Sequence, residues 1–219
     1  MEPITLRTGR LLLRPFEEWD EPALATACDD PDIQRFVPVP EPYTLKDAEE
    51  FVRGVSANGW REDTMYNFGV FTRGGTGGGA DRGDGGAEDG RAADSGTGGE
   101  LVGSVGLVRL SLHTAERQAE LGFWTARGHR RRGYTTEAAR AVVDWAFTAL
   151  GVERLEWLAQ VENAGSRAVA QRLGFVEEGI ARARIVHRGT RRDARVAALL
   201  PSDLGHPQPT PCLPSPARG

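Results

Sequence analysis

The stretch from Glu120 to Glu137, ELGFWTARGHRRRGYTTE, concentrates residues suited to holding an anion. It reads as a strand, a turn dense in Arg and Gly, and the start of a strong helix. A helix start carries unpaired backbone N–H groups and the positive end of the helix dipole, so phosphate is its natural guest. Gly128 and Gly133 let the backbone bend toward a ligand, and Arg127, Arg130, Arg131 and Arg132 add charge. Taken alone, this predicts an anion at a helix start, with a solvated Arg turn as the alternative. Glu120 alternates with Gly122 and Trp124, so on a strand it shares their face. Two readings stand for it: a structural carboxylate on the sheet, or a general base, which must reach its proton directly or through one water. Glu137, in the first helical turn, is explained by the dipole. His113, His129 and His187 match no metal-ligand spacing, and no metal is expected.

The elements that must position these residues follow from periodicity. Arg10 to Phe16 predicts a strand and Asp20 to Cys28 a short helix. Thr44 with Asp47 three residues on resembles a helix N-cap, leading a helix through Phe51, Val52 and Val55. Strands are expected at Asn67 to Thr72, Leu101 to Leu110 and Gln118 to Thr125. Glu137 to Leu150 is the clearest helix, apolar at Ala138, Ala141, Val142, Trp145 and Ala149, with Gly151 ending it. Leu155 to Val161 alternates as a strand. Asn163 can cap a short helix ending at Gly174, and two last strands are expected near Phe175 to Arg184 and Arg191 to Leu200. The sum is an α/β domain on one mixed sheet.

Composition narrows the rest. The 219 residues are 39% hydrophobic and 26% charged, with no run near the ~18 apolar residues of a membrane span. The first residues, MEPITLRTGR, lack the order of a signal peptide, so a cytoplasmic protein is expected. Cys28 and Cys212 suggest neither a disulfide framework nor a metal cluster. A formal net charge of −4 argues against a nucleic-acid binder, whose affinity rests on neutralising phosphates. Residues 74–99 hold 12 Gly and no Val, Ile, Leu or aromatic residue. They are expected to form a disordered loop lengthening a hairpin. Five prolines in residues 205–219 exclude a helix and a central strand and predict a disordered tail. A single domain over residues 1–204, interrupted by that loop, remains.

Arg130, Gly133 and the helix after them resemble the Arg/Gln-x-x-Gly-x-Gly/Ala signature of the GNAT superfamily of acetyl-CoA-dependent N-acetyltransferases. The resemblance continues through TEAARAVVDWAF (Thr136 to Phe147), NAGSRAVAQRLGF (Asn163 to Phe175) and EEGIAR (Glu177 to Arg182). Together these are similar to the RimJ/RimL-like subgroup, which acetylates ribosomal-protein N-termini. Thr135 departs from the signature, standing where Gly or Ala is usual and predicting a more crowded loop.

The resemblance implies a mixed, mostly antiparallel sheet with flanking helices and a splayed parallel pair, here Gln118 to Thr125 and Leu155 to Val161. It implies acetyl-CoA as donor, with backbone N–H groups of Arg131, Arg132, Gly133, Tyr134 and Thr135 cradling the pyrophosphate. The Arg130, Arg131 and Arg132 side chains would face the 3′-phosphate and solvent. Phe123, Trp124 and Thr125 would pair with the pantetheine arm like an added strand. Asn163 and Ser166 are expected at the pantetheine and Arg172 near the nucleotide; a helix cap and a surface charge are the alternatives for Asn163 and Arg172. Transfer to an amine requires a neutral nucleophile, a stabilised oxyanion and a departing thiolate, with no covalent enzyme intermediate. Positioning and a backbone N–H at Phe123 to Thr125 would supply much of this. The Tyr that protonates the thiolate in many members is Ala170 here, leaving Ser166 or solvent. The early helices would wall the acceptor side, and Trp19, Trp60 and Tyr43 would border it or simply pack. The expected acceptor is a protein N-terminal amine, the alternatives being a small-molecule amine or a CoA-binding regulatory module without turnover. The protein is expected as a monomer or a homodimer.

Overall fold

The computed structural model describes residues 1–73 and 99–213. The expected Gly-rich insertion, apart from Gly99, and the last six residues of the tail lie outside them. Eight strands form one sheet: β1 (Leu6–Arg7), β2 (Leu11–Arg14), β3 (Tyr66–Thr72), β4 (Leu101–Val108), β5 (Gln118–Thr125), β6 (Arg154–Gln160), β7 (Val176–His187) and β8 (Thr190–Leu199). Their order is β1-β2-β3-β4-β5-β6-β8-β7. Every neighbouring pair is antiparallel except β5 and β6, which run parallel. This is the mixed sheet with one parallel pair that the sequence resemblance implies.

Alternation along the strands sorts the two faces. Phe68, Val105, Leu107, Leu121, Leu155 and Trp157 are buried on one face with Ala138, Val142 and Trp145. These last three belong to α5 (Tyr134–Thr148). Beside it, α6 (Ala164–Leu173) adds Ala170 and Leu173. The opposite face carries a smaller cluster of Phe16, Leu24, Cys28, Tyr43, Ala48, Val52 and Phe71. It is covered by α1 (Glu21–Cys28) and α3 (Leu45–Glu50), with α2 (Pro31–Phe36) between them in the chain. The Thr44 and Asp47 capping box opens α3 as expected. The helix then continues through a π-type stretch, Phe51–Ser56, into α4 (Ala57–Arg61).

Two elements escape the sequence reading. Strand β1 is two residues long, and α2 lies in DDPDIQRFVPVP, where six helical residues are too few to show a period. Its signal is local: Asp30 accepts from the Asp32 N–H at 2.9 Å and Pro31 takes the first helical position, where a missing N–H costs nothing. Helix α5 also starts earlier than its apolar pattern, at Tyr134. Within the expected tail, residues 206–213 contain neither helix nor strand. The Thr210 N–H nevertheless donates to Glu153 Oε2 at 3.1 Å, and His206 lies edge-on to Phe147.

Candidate active site

Pairing between β5 and β6 covers only Gln118 with Arg154, Ala119 with Leu155 and Glu120 with Glu156. Both strands continue, β5 to Thr125 and β6 to Gln160, so they splay apart beyond Glu120. Strand β4 pairs with β5 along its whole upper half, from Glu120 to Thr125. Alternate backbone groups of Leu121 to Thr125 therefore face the split with no strand to bond. Polar backbone without a partner is costly when desolvated, so this edge suits a ligand that carries amides of its own.

The split leads to the Arg-rich turn. Arg131 has φ +63° and Gly133 φ +78°, two left-handed residues in close succession that swing the chain into α5. Gly133 caps that helix with no side-chain cap, so the first N–H groups of the helix point outward, unclaimed by a capping side chain. A Cβ at Gly133 would meet one atom within 4 Å, Arg10 Nη2 at 3.6 Å. Arg10 is a cation that spacing did not bring to the turn. Its guanidinium lies over the Tyr134 ring at 4.6 Å, donates to the Arg132 carbonyl and is held by Glu137. Glu137 also accepts from the Thr8 hydroxyl and the Arg10 N–H. Partial burial pushes its pKa up, but these bonds win and hold it below the usual carboxylate range. It clamps the N-terminal segment to α5 and is spoken for as a base.

Thr135, the departure from the signature, does not crowd the loop. Its hydroxyl pairs with that of Thr125 at the end of β5, tying strand to helix. The Arg130 guanidinium is bound by Asp30 Oδ2 at 2.6 Å and Asp32 Oδ2 at 2.7 Å, with Nε donating to the Thr125 carbonyl. Arg131 and Arg132 are exposed. Arg172 sits at the far end of α6, about 13 Å along the helix from its cap. There its carbonyl accepts from Arg140, and it lines a surface recess of about 450 Å³ with Arg140, Gln171 and His206. The structure does not bring it to the turn.

Asn163 caps α6 by accepting the Ser166 N–H at 3.0 Å. Ser166 Oγ accepts from the Trp157 indole at 2.9 Å, which leaves its own proton directed elsewhere. Ala170 is buried in the core.

On the other face, Glu120, Gly122 and Trp124 line up as the alternation requires. Gly122 faces open space, with nothing within 4 Å of a Cβ built there. Its neighbour across β4 is Gly106, over which the Asn67 side chain lies. Two adjacent glycines thus leave a bare floor between Glu120 and Trp124. Asn67 beside it was missed because an Asn within a strand pattern carries no motif. Burial pushes the Glu120 pKa up, Arg109 and Arg184 pull it back, and Glu156 adds to the rise; the net shift is upward. Arg109 Nη1 donates to Glu120 at 2.8 Å.

Of the aromatic residues expected to border the acceptor, Trp60 instead packs in the main core against Trp145, Tyr66 and Phe68. Tyr43 is buried in the smaller core. Trp19 is 60% exposed and stacks beside Arg14. Burial pushes the Cys28 thiol up to about 12, which makes it inert as a nucleophile. Among the described residues no group of three or more His, Cys, Asp or Glu side chains is placed to hold a metal ion, and no helix is long and apolar enough to cross a membrane.

A splayed parallel pair beside an uncapped, Gly-opened helix start places an unpaired strand edge next to a site suited to an anion. A family model described as the acetyltransferase (GNAT) domain matches residues 10–176, and the chain belongs to that family. The Bacillus subtilis (strain 168) protein named Probable N-acetyltransferase YjcK is 33% identical over 142 residues, 65% of each chain, so the match spans just under two thirds of that relative. The ribosomal-protein-serine acetyltransferase of Escherichia coli (strain K12) is 29% identical over 80 residues, 36% of this chain and 44% of that one. The Mycobacterium smegmatis RimJ structure in complex with CoA-disulfide superimposes with a TM-score of 0.72 at 23% identity, over 93% of this chain and 89% of that one. That likeness is one of fold.

Proposed function

We propose that the enzyme acetylates a protein N-terminal amine, with acetyl-CoA lying in the split between β5 and β6. The observation that carries this placement is the end of β5 to β6 pairing at Glu120 and Glu156, directly below a helix start with unclaimed N–H groups. The N–H groups of Arg131 to Thr135 would hold the pyrophosphate, with Arg10 beside them. The free edge of Phe123, Trp124 and Thr125 would bind the pantetheine amides. Bound acetyl-CoA supplies an acyl group activated as a thioester.

The chain's own groups do the rest. The bare floor at Gly122 leaves room for an amine between Glu120 and the split. Glu120, with its pKa raised by burial, accepts the ammonium proton directly or through one water. The free amine then forms the C–N bond as the C–S bond breaks, and a backbone N–H of β5 supports the negative charge on the carbonyl oxygen. Ser166, its Oγ already accepting from Trp157, has a proton to offer the departing sulfur and regains one, through water, from the newly acylated nitrogen.

The choice of a protein N-terminus is supported by the RimJ/RimL-like sequence segments and by the ribosomal-protein-serine acetyltransferase among the relatives. The test is acetyl transfer to a panel of peptides with free N-termini (Ser, Ala, Met), the same peptides blocked at the N-terminus but carrying an internal Lys, spermidine and an aminoglycoside. Transfer to free N-termini alone supports the reading. Transfer only to the small amines overturns the acceptor, and CoA binding without any transfer overturns turnover.

A further inference from the structure

Helix α2 connects three parts of the candidate site that are distant in sequence. At its start, Asp30 and Asp32 hold Arg130, which also donates to the Thr125 carbonyl at the end of β5. At its other end, the Arg35 carbonyl accepts from Gln160 Nε2 at the end of β6. The Gln34 carbonyl receives Arg188 Nη2 at 3.3 Å and lies 3.1 Å from His187 Nε2, both at the tip of the β7–β8 hairpin. Arg188 is paired with Glu41 as well. The helix therefore spans the open end of the split, from the last residue of one splayed strand to the last residue of the other. Its own turn is only six residues, too short to hold a position unaided, and Ile33 and Gln34 are its buried residues. The two-carboxylate grip on Arg130 fixes the end next to the cofactor turn.

We propose that Arg130 is a positioning residue: through Asp30 and Asp32 it makes the placement of α2, and with it the acceptor side of the split, depend on acetyl-CoA occupying the turn. This rests on the cofactor reading above. Arg130 opens the turn whose next five N–H groups would bind the pyrophosphate, so ordering those groups orders Arg130. Its guanidinium, planar and bidentate across two carboxylates, passes that order to α2.

The experiment is hydrogen exchange followed by mass spectrometry on the full chain, with and without acetyl-CoA, for wild type and Asp30→Asn/Asp32→Asn. Asn keeps the N-cap oxygen at position 30, so the change weakens the ion pairs and spares the helix. In the wild type, acetyl-CoA is expected to slow exchange both at residues 130–137 and at 31–36. In the double variant the slowing at 130–137 should persist, acetyl-CoA affinity should stay within roughly threefold, and the slowing at 31–36 should shrink about fivefold. Protection at 31–36 that persists in the folded variant overturns the inference alone. A loss of acetyl-CoA affinity of about tenfold or more would also overturn it, by placing the Arg130 pairs in cofactor binding itself. No protection at 130–137 in the wild type overturns the cofactor placement and this inference with it. Should the double variant fail to fold, Asp32→Asn serves: Asp32 is 70% exposed, makes no cap, and should lose part of the coupling.

Discussion

Replacing Gly133 separates electrostatics from sterics at the cofactor turn. Both Gly133→Asn and Gly133→Asp add a Cβ at φ +78°, a conformation Asn and Asp tolerate better than other side chains, so strain largely cancels between them. The space accepts either: the nearest atom to the new Cβ is Arg10 Nη2 at 3.6 Å. They differ by one negative charge about 5 Å from a bound pyrophosphate. At an effective dielectric near 20 this repulsion is roughly 3 kcal/mol, on the order of 100-fold in Kd. Arg10 would draw the new carboxylate aside, but its guanidinium is already engaged by Glu137, so compensation should cost no more than a few-fold. Calorimetric titration of acetyl-CoA should therefore give an Asp variant about 30- to 100-fold weaker than the Asn variant. The gap should narrow near 1 M salt, where the screening length falls to about 3 Å. Equal affinities for the two variants, in folded protein, would refute the placement of the pyrophosphate at this turn.

Other substitutions address the chemistry and the frame. Glu120→Gln should lower kcat about 100-fold with acetyl-CoA affinity unchanged. Because burial raises the Glu120 pKa, the native state holds its proton to higher pH than the unfolded chain, and wild-type stability falls as pH rises through that window. Gln therefore gains stability relative to wild type above the usual carboxylate range and loses that advantage below it; melting curves across pH check the sign. Ser166→Ala should reduce kcat less than about tenfold, since a thiolate near pKa 8.5 needs little help in leaving. Gly122→Val, which finds nothing within 4 Å of its Cβ, should fold normally and abolish transfer by filling the floor beside Glu120; a melting temperature near wild type with full activity would contradict that. Asp20→Ala removes the carboxylate that accepts from the buried Arg14 guanidinium at 2.7 and 3.0 Å, and should cost about 3 kcal/mol, or on the order of 10 °C in Tm.

Legibility followed periodicity and motif. The strand Gln118 to Thr125 was readable to the residue because its buried positions alternate, and the uncapped start of α5 because Gly133 punctuates an Arg-rich turn. The split between β5 and β6 was reached only through resemblance, since no local pattern records where two distant strands stop pairing. Arg10 lay out of reach for the same reason: it arrives at the turn through the Glu137 clamp, 127 positions away. The carboxylate partners of Arg130 were out of reach too. They sit at the start of α2, whose six residues are too few to show a helical period. Thr135 shows the reverse case, where a departure from a signature is explained by one partner, Thr125, that the signature does not mention.

The side chains around the split are few because the reaction asks little of them. Holding a thioester beside an amine is the work of backbone, and backbone is what the splayed strand and the helix start expose. Two glycines clear the floor where a nucleophile must stand. On the proposed reading, Glu120 frees the amine, and a Tyr at position 170 would add only a proton that a thiolate can do without. Arg10, Arg130, Asp30 and Asp32 lie one layer outside that chemistry, tying the turn to the N-terminal segment and to the start of α2. Variation in acceptor among chains of this fold is therefore expected to reside in α2 and the β7–β8 hairpin tip that meets it, while the turn and β5 stay with acetyl-CoA.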